Sequence, residues 1–340
     1  MISRRLILGA SVGAIGLAGC SPGRKSSPAP APGPIRFSIL STESAQSMEQ
    51  YWAPVLADMR RATGLAVEPF FSSNYTLLVE AMKFKKTDLG WFSNRSGLEA
   101  VRRAGGEVFA RTFDPSGADG YTSVLIVNAK SRLTLAEVLK CDRKLTFGMG
   151  DVLSTSGTLA PMTYLFAPRD IRPEACFRKL RTGASHQANL YAVAAGELDV
   201  ATNNSASLLL NRQHGRHEAD AVRVIWTSPI LPEDPIVWRK DLDPAVKETL
   251  RQFFLTYGQG DSPRAAAQRA AMARMNIGGF RPADDSFLLP VREMEATEVW
   301  LVAKQGGDPA RVAAARKALD AVTAQRVALE ARTRAPAAAQ

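Results

Sequence analysis

The sequence predicts an α/β fold in two lobes. Three observations carry this reading. Short apolar, strand-like runs alternate with helical patterns along the chain, the order that gives a mostly parallel sheet with helices on both faces. The length, 340 residues, is enough for two domains with a core each. Two extended segments, Tyr121–Asn128 and Trp226–Trp238, flank the middle of the chain and are the candidate crossings between lobes.

The elements follow in order. "IRFSIL" from Ile35 reads as a first strand. "SMEQYWAPVLADMRRATG" has apolar residues at helical spacing and stops on Gly64. "LAVEPFF" is a strand, "YTLLVEAMKFK" a helix and "TDLGWF" a short strand. "GYTSVLIVNA" is a strand of high apolar content, and "TLAEVLK" a short helix with Thr134 as its cap. "KLTFGM" (strand), "TLAPMTYLF" and "HQANLYAVAAG" (helices), then "ELDVATN" and "VRVIWTS" (strands) complete the middle block. From Pro244 the chain turns helical, ending in an Ala-rich segment from about Val291 to Arg332. The first lobe is assigned residues 35–125 and 235–335, the second 126–234.

The first 34 residues read as an address. Arg4 and Arg5 precede an apolar run, Leu6 to Leu17, the layout of an export signal and too short for a permanent span. The run ends in Leu17-Ala18-Gly19-Cys20, which looks like a bacterial lipobox with Cys20 as the lipidated residue. Residues 1–20 are thus leader and lipobox. Residues 21–34, rich in Pro and Ala, are an extended tether.

Cleavage before Cys20 takes two arginines and no acid, so the net charge falls from +10 to +8. The basic residues are scattered, without a Lys/Arg block or interleaved aromatics, which with export argues against nucleic acid. Cys141 and Cys176 remain for an oxidising compartment to pair, though spacing does not show whether they meet. There is no Cys/His cluster at metal-ligand spacing, so no metal and no cofactor are expected; His214 and His217 are placed in a polar surface loop.

The stretch "GDVLSTSGTLAP", Gly150–Pro161, is the chemically suggestive one. It joins a strand ending near Met149 to a helix beginning near Ser156. The first N–H groups of a helix have no partner inside it and, with the positive end of the dipole, attract an anion. Ser154, Thr155 and Ser156 add hydroxyl donors, and Gly157 allows a close backbone approach. The alternative is a helix cap in a Ser-rich loop. Neither a phosphate-binding Gly-Lys-Ser/Thr loop nor a Gly-x-Ser-x-Gly elbow is present.

Six motifs in order resemble the phosphonate-binding proteins of bacterial ABC transporters: "STES", "SSNYTLLVEAMK", "GYTSVLIV", "STSGTLAP", "GASHQANLYAVAAGELDVATNN" and "SPILPEDPIVWR". The resemblance spans about Ile35 to Gly258. It implies a type II periplasmic binding fold, with the ligand cleft between the lobes. It also implies oxyanion contacts from Ser154, Thr155, Ser156 and His186, and closure over the ligand by Tyr75 and Tyr121. The family's aminophosphonate binders hold the ligand's ammonium with two carboxylates. Asp234 matches one; Ala206 stands where the other would be. That departure puts an aminoethyl ligand in doubt and keeps phosphonate, phosphite or a related oxyanion open.

The expectation is therefore a membrane-tethered, extracytoplasmic solute-binding lipoprotein. It is not an enzyme, and its partners are an anionic ligand and an ABC permease. The C-terminal helices cover a lobe or pair with a second copy. Two rivals stand beside it: an exported hydrolase using Ser156, His186 and Asp199, and an interaction protein that kept the fold without the ligand.

Overall fold

The structure, a computed structural model, describes residues 33–334; the leader, Cys20 and the tether up to residue 32 lie outside the described residues. The chain opens with β1 (Ile35–Leu40), α1 (Ala45–Thr63), β2 (Val67–Ser72), α2 (Tyr75–Lys83), β3 (Leu89–Trp91), α3 (Asn94–Arg103) and β4 (Gly106–Phe113). The middle block holds β5 (Gly120–Asn128), α4 (Leu135–Val138), β6 (Thr146–Gly148), a helical stretch over 155–169, and α5 (Pro173–Cys176). It continues with β7 (Lys179–Arg181), α6 (His186–Ala194), β8 (Val200–Asn204), α7 (Ser205–Gln213) and β9 (Val222–Pro232). The chain ends with β10 (Pro235–Arg239), α8 (Pro244–Thr256), α9 (Pro263–Ala273), β11 (Gly279–Pro282), α10 (Leu289–Gly306) and α11 (Pro309–Arg334).

Local chemistry sets many boundaries. The Ser44 hydroxyl caps α1 by accepting the Ser47 N–H, and Gly64 ends it at φ 69°. Thr134 caps α4 as expected, and the Glu137 carboxylate returns to the Thr134 N–H, completing a capping box.

Two sheets result. The first runs β11-β4-β10-β3-β1-β2, the second β7-β6-β8-β5-β9. Both are mixed, where a mostly parallel arrangement was expected. β10 returns from the second lobe and inserts antiparallel between β3 and β4, while β5 pairs antiparallel with both β8 and β9. The first core packs Trp52, Phe37, Phe109, Phe254 and Trp238 together, with the Phe109 and Trp238 rings stacked at 3.8 Å. The second sheet is buried on both faces. Val124 and Ile126 join one cluster, Leu125 and Val127 the other, which explains the unbroken apolar run in β5.

The structure shifts the lobe boundary. β5 lies wholly in the second sheet and pairs with β9 from Gly120↔Pro232 to Asn128↔Val222. The boundary drawn at 125/126 therefore cuts a strand. The chain crosses at 114–119 and at Glu233–Asp234. Cys141 and Cys176 do meet, in a disulfide. The C-terminal helices reach past the first lobe: the Thr163 hydroxyl donates to the Met294 carbonyl, and Gln305 to that of Ala167. Among the described residues no helix is long and apolar enough to cross a membrane.

Candidate ligand-binding cleft

A cavity of about 60 Å³ lies between the two sheets, at the C-terminal ends of β1, β3, β6 and β8. This is where open α/β sheets place ligands. Tyr75 and Trp91 line it from the first lobe, Tyr121, Ser154, Ser156, His186 and Asn204 from the second, and Glu233 and Asp234 from the crossing.

The hydroxyl stretch starts a helix, as expected, but its winding is wider than α. Leu159 N–H reaches back to the Ser154 carbonyl, and Ala160 N–H to that of Thr155. Pro161 lacks the N–H that would serve the Gly157 carbonyl, and the Gly150 N–H takes that acceptor at 3.1 Å. The two glycines touch. A Cβ on Gly150 would stand 2.8 Å from the Gly157 Cα, and one on Gly157 2.8 Å from the Ser154 Oγ. Gly157 thus makes room for the protein's own turn, where the sequence suggested room for a ligand.

The Ser154 hydroxyl accepts the Gly157 N–H, leaving its own hydrogen to donate. The Ser156 Oγ lies 3.2 Å from His186 Nε2 and accepts from Asn204 Nδ2 at 3.1 Å. Burial holds the His186 imidazole neutral, its pKa lowered to about 4. Its Nδ1 is buried and without a partner among the described residues. The Tyr75 hydroxyl interacts with Ser154, and that of Tyr121 with Ser156 and Asp234. Burial raises the pKa of both phenols, so they stay neutral donors.

Thr155 is placed differently from its neighbours. It does not line the cavity, and its Oγ1 accepts the Arg95 N–H of the first lobe at 2.9 Å. Asp151 likewise spans the lobes, accepting the Tyr75 N–H at 3.4 Å and the Leu153 N–H at 2.8 Å. A carboxylate at the start of α2 suits the positive end of that helix. His214, expected on a polar surface loop, stacks on the Tyr51 ring at 4.4 Å and bonds the Arg274 carbonyl.

Asp234 lines the cavity from the crossing segment. Asn94 Nδ2 donates to it at 3.4 Å, and burial, then neighbouring Glu233, holds its pKa well above the carboxylate range. Glu233 accepts from the Thr112 hydroxyl at 3.1 Å, and burial lifts its pKa to about 7. Sequence reasoning passed over Glu233, Trp91 and Asn204. The carboxylate next to Asp234 was the visible signal for Glu233.

The comparisons with known proteins identify the family. A model of the ABC-transporter phosphonate periplasmic substrate-binding protein family matches residues 37–288. The chain belongs to this family. The phosphonates-binding periplasmic protein of Escherichia coli (strain K12) is 40% identical over 261 residues, covering 76% of this chain and 75% of that protein. The binding protein component of an ABC phosphonate transporter from Pseudomonas aeruginosa superposes with a TM-score of 0.80 at 37% identity, covering 88% and 98% of the two chains. PhnD1 of Prochlorococcus marinus, solved with methylphosphonate, shares the fold at a TM-score of 0.66 and 18% identity, covering 76% and 96%. As a phosphonate-binding periplasmic protein of an ABC transporter, the chain uses the two-lobed α/β architecture the resemblance implied.

Proposed function

We propose that this receptor grips the tetrahedral oxyanion head of a phosphonate, phosphite or related ligand at the start of the 155–169 helix. Ser154, Ser156, His186, Tyr75 and Tyr121 supply the hydrogen bonds. One observation carries the reading: the polar groups at that end of the cavity are neutral donors, and among the described lining residues there is no Lys or Arg. Neutral donors around a dianion give strong, charge-assisted bonds without a fixed ion pair, which suits capture followed by release. The Thr155 hydroxyl contributes by joining the lobes.

Cys20, after the export signal, carries a lipid anchor in this reading, and the tether holds the receptor near its permease. Closure of the lobes buries the ligand, and the closed form docks to deliver it.

The Ser156–His186 pair also resembles the start of a hydrolytic triad. Asp199, the imagined third member, is bound instead to Thr146, and no carboxylate meets His186 Nδ1 among the described residues. The pair serves here as two donors.

Calorimetry and thermal shift with methylphosphonate, phosphite, phosphate and methanesulfonate test the binding reading. At least one phosphorus oxyanion should raise the melting temperature in proportion to its affinity. No shift with any of the four would overturn it. Cys20→Ala should release the protein from the membrane fraction; retention there would defeat the anchor.

A further inference from the structure

The helix α7 of the second lobe runs out into His214, Gly215 and Arg216, part of the "HGRH" run. None of these residues lines the ligand cavity. Gly215 takes φ 67°, and the Arg216 N–H returns to the Asn211 carbonyl at 2.9 Å, a glycine-terminated helix end. On the first lobe, Ser47 and Tyr51 stand one turn apart on α1 and share a face. The two surfaces interlock. The His214 and Tyr51 rings stack with 13° between their planes and 4.4 Å between their centroids. His214 Nε2 donates to the Arg274 carbonyl at 2.9 Å, since a carbonyl only accepts. Arg216 donates to Ser47 at 3.2 Å, to the Tyr191 hydroxyl at 3.1 Å and to the Tyr51 hydroxyl.

A second feature ties this rim to the ligand. The helix α6 carries His186 into the cavity wall and Gln187 and Tyr191 into the rim. Gln187 accepts the Ser44 N–H at 2.9 Å and donates to the Tyr191 hydroxyl at 3.4 Å. One short helix thus serves both places. The Tyr51–His214, His214–Arg274 and Ser47–Arg216 contacts each join one lobe to the other, so parting the lobes breaks all of them. A ligand that needs a closed cleft binds with an affinity scaled by the fraction of closed protein.

We infer that the His214–Gly215–Arg216 turn and Tyr51 form a clasp that sets the affinity of this receptor without touching its ligand. His214 and Arg216 are positioning residues: they favour the closed arrangement, and every ligand of the cleft gains alike. Tyr51 is the buried half of the clasp, 5% exposed, and the turn closes onto it. The inference needs the lobes to close on a phosphonate; it does not need any one assignment of the groups that hold the oxyanion.

Titration calorimetry and stopped-flow release with methyl-, ethyl- and 2-aminoethylphosphonate test this on the full chain. His214→Ala and Arg216→Gln should each weaken all the ligands that bind by one common factor, about 3- to 10-fold, mostly through faster release. His214→Phe keeps a ring on Tyr51 and should recover most of the loss. A general loosening of the fold would not be rescued in this way. Unchanged affinity in both His214→Ala and Arg216→Gln overturns the clasp. So do factors that differ between ligands by more than about threefold, which would place the effect on ligand contacts, and so does a lack of recovery in His214→Phe. If no phosphonate binds the wild type, small-angle scattering decides instead. The unliganded wild type should then have a smaller radius of gyration than the His214→Ala, Arg216→Gln double variant, and equal radii overturn the clasp.

Discussion

Glu43, on the loop after β1, accepts hydrogen bonds from Ser207 Oγ at 2.9 Å and from Asn211 Nδ2 at 3.1 Å, both on α7 of the other lobe. It is 3% exposed. Nearby, Gln187 accepts the Ser44 N–H at 2.9 Å, and Arg216 donates to Ser47. The closed cleft is thus held at its rim by the protein's own groups.

Burial raises the Glu43 pKa to about 7. Opened to water, the carboxyl returns to the ordinary carboxylate range. The closed form therefore holds more protons than the open form between those values. Closure weakens as pH rises through that window and levels off above it. Ligand affinity in wild type, divided by that in Glu43→Gln at each pH from about 5 to 8, should fall with pH. A flat ratio would show that Glu43 keeps its charge in the closed form.

Ser156→Ala removes one hydroxyl from the proposed oxyanion end and leaves Asn204 and His186 without it. Affinity for methylphosphonate should drop about 10- to 100-fold, the worth of a hydrogen bond to a charged group. Circular dichroism should stay unchanged. A variant that binds normally, or a wild type that turns over an activated phosphonate ester and loses that turnover with Ser156→Ala, would contradict the donor role.

Gly157→Ala should destabilise the fold and weaken binding together. The new methyl meets the Ser154 hydroxyl at 2.8 Å and the Gly150 Cα at 3.0 Å, so the cap must shift. A cost of about 1–3 kcal/mol is expected from overpacking. Chemical denaturation measures it, and an unchanged midpoint would mean the turn yields freely.

The Cys141–Cys176 disulfide closes a loop across a sequence separation of 35. Loop entropy gives it about 3–4 kcal/mol. Reduction, or Cys141→Ser with Cys176→Ser, should lower the melting temperature while leaving ligand stoichiometry at one per chain. No shift would mean the bridge adds nothing to stability.

Much of this was legible in the sequence. The strand and helix alternation depends on local periodicity, and the Thr134 and Gly64 signals act within a few residues. The start of the helix at Thr155 was readable because donor-rich turns are written in contiguous residues. Thr155 was not, because its hydroxyl answers to Arg95, 60 positions away. The mixed sheets escaped for the same reason: where β10 inserts depends on the return path of the chain. Glu233 was visible, but its place in the wall depends on how the crossing is cut, and that depends on the β5–β9 register.

The helix α10 adds a constraint on motion. It bonds the second lobe through Thr163 and Gln305, and the first through Arg95 and Arg102, which pair with Glu295. A rod fastened to both halves on one flank removes a degree of freedom: the mouth cannot gape equally on all sides. Were the lobes to part about that flank, the cleft would open at the opposite rim. A permease taking delivery by that route would face that rim, which would restrict the orientation of the docked receptor.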